Sequence, residues 1–294
     1  MLPSRPMWDA YLCLLTAVLV WASSYFVMQV ALVSFTPLAL TALRLVLSTA
    51  FMGAYARCAG VPLAVRRGDV WPLLGLGFLL NTAFQVCLNF ALAFTTPAHA
   101  SLAVGFMPIF AAVGARLLLH ERVTPRRALA ILMAFAGVAL VIVPGGGAGK
   151  APHPILGDLL ALGVAASWAL GSVLTKPFLS RYSPLQFTVL TLAGGAALGV
   201  PPTIVSLART EWGSVAKTSW LALLYLSFLS MGVCWLLWNR AIARLEVSQV
   251  AIFSNMPPVI TLLLATVLTG ERPTVALLAG GAMVVAGAFL TQRT

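Results

Sequence analysis

His120-Glu121-Arg122-Val123-Thr124 returns 150 residues later as Gly270-Glu271-Arg272-Pro273-Thr274. The register holds around it: Pro108 matches Pro258, Gly137 matches Gly287, and Asn89 and Ala91 match Asn239 and Ala241. Earlier in each half the offset is 147, where Trp21-Ala22 matches Trp168-Ala169 and Phe35-Thr36-Pro37 matches Tyr182-Ser183-Pro184. The three-residue difference fits a loop insertion after the second helix of the repeat. Several pairs in constant register signal an internal duplication. They divide the chain into units 1–148 and 149–294.

Each unit is built of apolar runs. Of the 294 residues, 61% are hydrophobic and 9% are charged, against roughly 25% charged in soluble domains. Such a composition cannot cover itself with a water-facing surface, so the solvent is lipid. Breaks at charges, Pro and Gly predict ten spans of about 20 residues each. They are 10–31, 37–56, 70–93, 97–118, 125–143, 155–176, 184–207, 218–240, 247–268 and 274–291. A Gly/Pro-rich segment, Pro144–Pro154, joins the fifth to the sixth. The remainder leaves no room for a soluble domain of useful size.

An odd number of spans per unit reverses the second unit in the membrane, the inverted-repeat plan common in secondary transporters. Charge tests the orientation. With the N-terminus inside, the inner loops and tails hold Arg5, Arg57, Arg66, Arg67, Arg122, Arg126, Arg127, Lys176, Arg181, Arg240, Arg244 and Arg293. The outer loops hold Lys150, Arg209, Lys217 and Arg272. Twelve against four predicts both termini in the cytoplasm. In the repeat the inner copy is the basic one: Lys176 and Arg181 face Gln29 and Ser34, and Arg240 and Arg244 face Phe90 and Phe94. The expected fold is therefore an all-α integral membrane protein of ten transmembrane helices in two inverted five-helix repeats.

The net charge of +11 would suggest nucleic acid as partner for a soluble protein. No Lys/Arg run or basic helix suited to phosphates occurs here, and no nucleic-acid partner is expected. Cys13, Cys58, Cys87 and Cys234 are scattered and read as packing residues. His99, His120 and His153 lack metal-ligand spacing, so no metal or cofactor is expected. Glu121 and Glu271 sit at helix ends on opposite faces, cannot form an acid/base couple, and suit helix capping. No catalytic set is present, and an enzyme is not expected.

Trp21-Ala22-Ser23-Ser24, Arg44 in the second span, and the Glu-Arg-x-Thr element at Glu121–Thr124, repeated at Glu271–Thr274, carry a resemblance. The chain resembles the drug/metabolite transporter superfamily, in its ten-helix EamA-type branch, over essentially its whole length. The resemblance implies a carrier of the bacterial inner membrane, often an exporter of amino acids or related compounds. It also implies a central cavity ringed by spans 1–4 and 6–9. The sequence departs from the pattern at Leu170-Gly171, which stand opposite Ser23-Ser24.

Arg44 lies about 10 Å below the outer end of its helix at 1.5 Å per residue, where a charge is costly and must face the interior. It either anchors a substrate carboxylate with two hydrogen bonds or ties up carbonyls at helix breaks. Mid-depth polar and aromatic groups complete the candidate binding set: Trp21, Ser24, Tyr25, Asn81, Gln85 and Ser101 in the first unit, and Trp168, Ser172, Tyr225, Trp235, Ser254 and Asn255 in the second. A buried amide without a partner costs roughly 1–3 kcal/mol, so Asn81, Gln85 and Asn255 bond neighbouring helices or line a wet cavity. Trp21 and Trp168 are too deep for an interfacial belt and are either core packing or walls of one cavity. Pro108, Pro257 and Pro258, at matching places, remove backbone bonds and are candidate hinge or gating positions.

Spans 5 and 10 are Ala/Gly-rich, as in Ala279-Gly280-Gly281-Ala282, and suit close packing as scaffold or as a dimer face. A monomer or homodimer among membrane lipids is expected. No Asp or Glu falls at mid-depth, which predicts a facilitative carrier rather than a proton-driven one. A channel would need an unbroken polar stripe, and a membrane-embedded enzyme a clustered Asp/His or Ser/His pair. The leading expectation is a secondary transporter that exports a small-molecule substrate by alternating access.

Overall fold

The computed structural model describes residues 8–107, 109–110, 151–245, 256–268 and 274–292, with positions 129, 132, 133, 136, 137, 140 and 253. Most of the fifth predicted span, together with Pro108, Glu121, Ser254, Asn255 and Glu271, lies outside the described residues.

The described elements are all helical: α1 (Trp8–Leu32), α2 (Pro37–Cys58), α3 (Val70–Gly77), α4 (Phe84–Phe94), α5 (Pro97–Val104), α6 (Pro154–Leu179), α7 (Pro184–Gly199), α8 (Ile204–Ala208), α9 (Lys217–Leu224), α10 (Cys234–Ile242), α11 (Met256–Leu268) and α12 (Val275–Gln292). Three starts share one device. Thr36, Thr96 and Ser183 are extended N-caps whose hydroxyls accept a backbone N–H one turn on, each followed by Pro at the first helical position. By length and composition five helical segments among the described residues can cross a membrane, or six if a bent pair counts as one.

That bent pair corrects one expectation. The span predicted at 184–207 breaks by 46° between α7 and α8, where Pro201 and Pro202 follow one another and cannot continue the backbone ladder. A second difference concerns the spans at 70–93 and 218–240. Neither is a plain α-helix: π-helical segments Phe78–Ala83 and Tyr225–Val233 interrupt them at corresponding places. The carbonyls of these wide turns are taken by neighbouring helices. Ser167 donates to the Leu79 carbonyl at 2.5 Å, Ser48 to that of Ser227 at 2.8 Å, and Trp21 Nε1 to that of Ser230 at 3.0 Å. In lipid, backbone groups released from a helix must find such partners inside the protein.

The two halves interleave. α4 packs on α6 as α1 packs on α10, and α3 and α2 both lie along α7. Small residues permit the α3–α7 approach. A Cβ on Gly77 would come within 2.6 Å of the Gly195 nitrogen, and one on Gly195 within 2.8 Å of the Gly77 oxygen. Close packing through small residues was expected of the Ala/Gly-rich spans. In α12 Gly281 abuts Leu102 of α5, yet the tightest backbone contact is this one, elsewhere. Matching polar bonds pin each half. Asn89 Nδ2 donates to Thr41 Oγ1 at 2.9 Å and Asn239 Nδ2 to Thr188 Oγ1 at 2.9 Å. Each Thr in turn donates to the carbonyl of the Pro that opens its helix.

Two clusters built around buried acids close opposite ends of the bundle. Asp158 at 1% exposure accepts from Thr95 Oγ1 at 2.9 Å and lies 3.1 Å from His99 Nδ1. Asp69 accepts from Arg181 Nη1 at 2.7 Å and from the Tyr182 hydroxyl at 2.7 Å.

Candidate functional site

A cavity of about 770 Å³, its mouth included, lies where α1, α2, α4, α6, α10 and the second π-segment meet. Its dominant wall is indole. Trp168 stacks on Trp235 at 4.9 Å with planes 5° apart, and Trp21 meets Trp168 edge-on at 5.4 Å. Trp238 closes the cluster 5.1 Å from Trp21. Offset and edge-to-face pairs of this kind are favourable ring arrangements. Phe84 extends the wall, 5.5 Å from Trp168.

Opposite the indoles stands Arg44, whose residue is 1% exposed yet borders the cavity. Its Nη1 donates to Gln85 Oε1 at 2.5 Å and reaches the Met28 sulfur at 3.4 Å. Its Nε is buried with no partner. The alternative in which the guanidinium ties up helix-break carbonyls is not what the described residues show. The broken carbonyls are met by serines and an indole, and Arg44 keeps donors to spare. A guanidinium with donors to spare in a low-dielectric site is a strong attractor for a carboxylate.

Of the residues singled out from sequence, Trp21, Ser24, Tyr25, Arg44, Gln85, Trp168, Trp235 and Pro257 border the cavity. Four others do not. Asn81 spends its amide between α7 and α10, donating to the Thr191 carbonyl at 3.1 Å and accepting from Trp235 Nε1 at 2.8 Å. Ser101 is fully buried and bonds the Ala98 carbonyl of its own helix. Tyr225 Oη pairs with Ser23 Oγ at 2.7 Å behind the wall. Ser172 of α6 is also away from the lining. Ser254, Asn255 and Pro108 lie outside the described residues, and of Pro258 only the backbone, in α11, is described.

The lining also includes residues that the sequence reading passed over, among them Val18, Met28, Ser230, Met231 and Trp238. Their signal was spacing. Val18, Trp21, Tyr25 and Met28 recur at three and four residues, as do Met231, Trp235 and Trp238, so each set shares one helix face. Among the described residues no carboxylate borders the cavity.

A family model described as the EamA-like transporter family matches residues 8–143 and again 155–293. A protein of Streptantibioticus cattleyicolor named "Probable terminal-alkyne amino-acid exporter" is 29% identical over 293 residues, covering 99% of this chain and 94% of that protein. A Salmonella typhimurium protein named "Probable amino-acid metabolite efflux pump" is 29% identical over 292 residues, 96% of this chain and 94% of that protein. A crystal structure 26% identical in sequence superposes with a TM-score of 0.67, covering 96% of this chain and 95% of the other.

Proposed function

The chain belongs to the EamA-like transporter family, and on that premise we propose that it exports amino acids or related small metabolites by alternating access through the indole-lined cavity. The observation that carries the reading is Arg44: a buried guanidinium bordering a cavity walled mostly by aromatic and aliphatic groups. One fixed cation in an apolar pocket is the simplest recognition element for a small organic acid.

The proposed frame is ten spans in two inverted units, 1–148 and 149–294, with both termini cytoplasmic, in a bacterial inner membrane. The family model's two matches and the twin Asn–Thr bonds support two units of one design. Helices of both units contribute to the cavity, so rocking one unit against the other would open it to each side in turn. Pro257 and Pro258, and by symmetry Pro108, are the proposed bending points. Trp21, Tyr25, Arg44, Gln85, Trp168 and Trp235 are the proposed solute contacts, with Ser24 beside them. The absence of a carboxylate from the lining among the described residues supports facilitated exchange rather than proton drive.

Counterflow in proteoliposomes with pooled labelled amino acids and their derivatives tests this. Saturable, substrate-stimulated exchange that is lost in folded Arg44→Ala is the expected result. Leak that neither saturates nor responds to internal substrate would sink the carrier reading.

A further inference from the structure

The polar groups of the cavity carry one positive charge, on Arg44, and are otherwise neutral N–H and O–H groups. Arg44 Nη1 is occupied and its Nε is unpartnered but fully buried, which leaves Nη2 as the donor free for a solute. Gln85 Oε1 accepts from Arg44, and its N–H groups make no hydrogen bond to a described residue. The indole N–H groups of Trp168 and Trp238 and the hydroxyl of Tyr25 make no hydrogen bond to a described residue, although all three side chains border the cavity. Ser24 is already engaged with the Val20 carbonyl at 2.7 Å and with Ser230 at 2.9 Å. Nothing anionic among the described residues faces this set.

Such a site is matched to acceptors. A carboxylate neutralises Arg44 and can accept from the indoles. An α-ammonium would add a second cation to an enclosed, low-dielectric space with no anion to pair it, which is strongly unfavourable. Cation–π contact with the ring faces left open offsets only part of this. The flat apolar wall suits an aromatic body.

We propose, resting on the export reading above, that the cavity selects monoanionic aromatic carboxylates whose amino nitrogen is acylated or missing, over the zwitterionic amino acids themselves. The site offers one guanidinium with neutral N–H and O–H groups for the carboxylate, and an aromatic wall for the ring.

The test uses the full chain in proteoliposomes near neutral pH. Counterflow of labelled N-acetylphenylalanine is expected to exceed that of labelled phenylalanine by about tenfold or more, the factor that 1.4 kcal/mol of discrimination gives. Unlabelled phenylacetate should compete and phenethylamine should not. Phenylalanine exchanging as fast as its acetylated form overturns the charge selection and leaves the export reading standing. Absence of counterflow for all of these, and for a pool of labelled amino acids, in protein shown to be folded by size exclusion, overturns both. Arg44→Gln is expected to cut N-acetylphenylalanine exchange by about tenfold, while Arg44→Lys, which keeps the charge without the fork, retains part of it. Should Arg44→Gln fail to fold, tryptophan-fluorescence titration of the unmodified protein decides. Both acids binding above phenylalanine and phenethylamine supports the proposal, and the reverse order overturns it.

Discussion

Gly171 packs so closely on Leu80 that a Cβ placed on it would lie 2.6 Å from Leu80 Cγ. Position 171 is the twin of Ser24 at offset 147, and position 80 the twin of Ser230 at offset 150. Ser24 and Ser230 share a hydrogen bond of 2.9 Å. One contact is thus realised twice, once as a polar pair and once as a large residue on a small one. This accounts for Gly171 standing where the first unit has Ser24. Gly171→Ser alone should lose about 1–3 kcal/mol through overpacking. Combined with Leu80→Ser it should show a favourable coupling of roughly 1 kcal/mol in a double-mutant cycle. Thermal unfolding in detergent measures this, and strict additivity would count against the equivalence of the two contacts.

The twin bonds Asn89–Thr41 and Asn239–Thr188 are equal in length, 2.9 Å. Asn89→Ala and Asn239→Ala are expected to destabilise by similar amounts, about 1 kcal/mol each, as interhelical hydrogen bonds in membranes generally do. Melting temperatures of the two variants should therefore nearly coincide.

Backbone proximity at Gly77 and Gly195 leaves no space for a methyl group, whereas nothing lies within 4 Å of a Cβ on Gly53. Gly77→Ala and Gly195→Ala should each cost roughly 1–3 kcal/mol by forcing α3 from α7. Gly53→Ala, in the middle of α2, should be neutral or stabilising by up to about 1 kcal/mol. Comparing the three in one unfolding assay separates packing from helix propensity.

Removing the acid of each end cluster should have unequal effects. Asp158→Ala strips Thr95 and His99 of a fully buried acceptor, and hydrogen bonds to charged groups are worth about 1.5–3 kcal/mol. Asp69→Ala should cost less, on the order of 1 kcal/mol, because the Arg181 side chain is 36% exposed and water can replace its partner. Equal losses would mean that exposure is not what sets the difference.

With no carboxylate lining the cavity among the described residues, exchange of a substrate whose charge is constant over the range should not respond to an imposed pH gradient. Counterflow rates with and without the gradient, at equal internal pH, check this.

Much of this architecture was legible. Apolar runs located the described helices that are long and apolar enough to cross a membrane, and the Thr36-Pro37 and Ser183-Pro184 pairs marked helix starts to the residue. Arg44 and Gln85 could each be placed in the interior by the cost of burying them alone, although their mutual bond could not. Asn81 takes the interhelical alternative, bonding α7 and α10, and it lies inside the π-segment Phe78–Ala83. No composition marks such a segment, since Phe-Leu-Leu-Asn-Thr-Ala reads as ordinary apolar helix. The bend at Pro201-Pro202 did carry a signal, which the length of the apolar run concealed. The buried acids Asp69 and Asp158 were invisible because their partners come from distant parts of the chain.

The π-segments also bear on how these two spans tolerate changes in length. A π bond closes over one residue more than an α bond, so each segment holds slack that a straight helix lacks. Deleting one residue from α1 would rotate everything beyond it by about 100°, carrying Trp21 or Tyr25 off the shared face. The same deletion within Tyr225–Val233 would tighten the turn to α-helical pitch and leave Trp235 and Trp238 pointing much as before. Single-residue gaps between homologous sequences should therefore gather in these segments and be rare in α1.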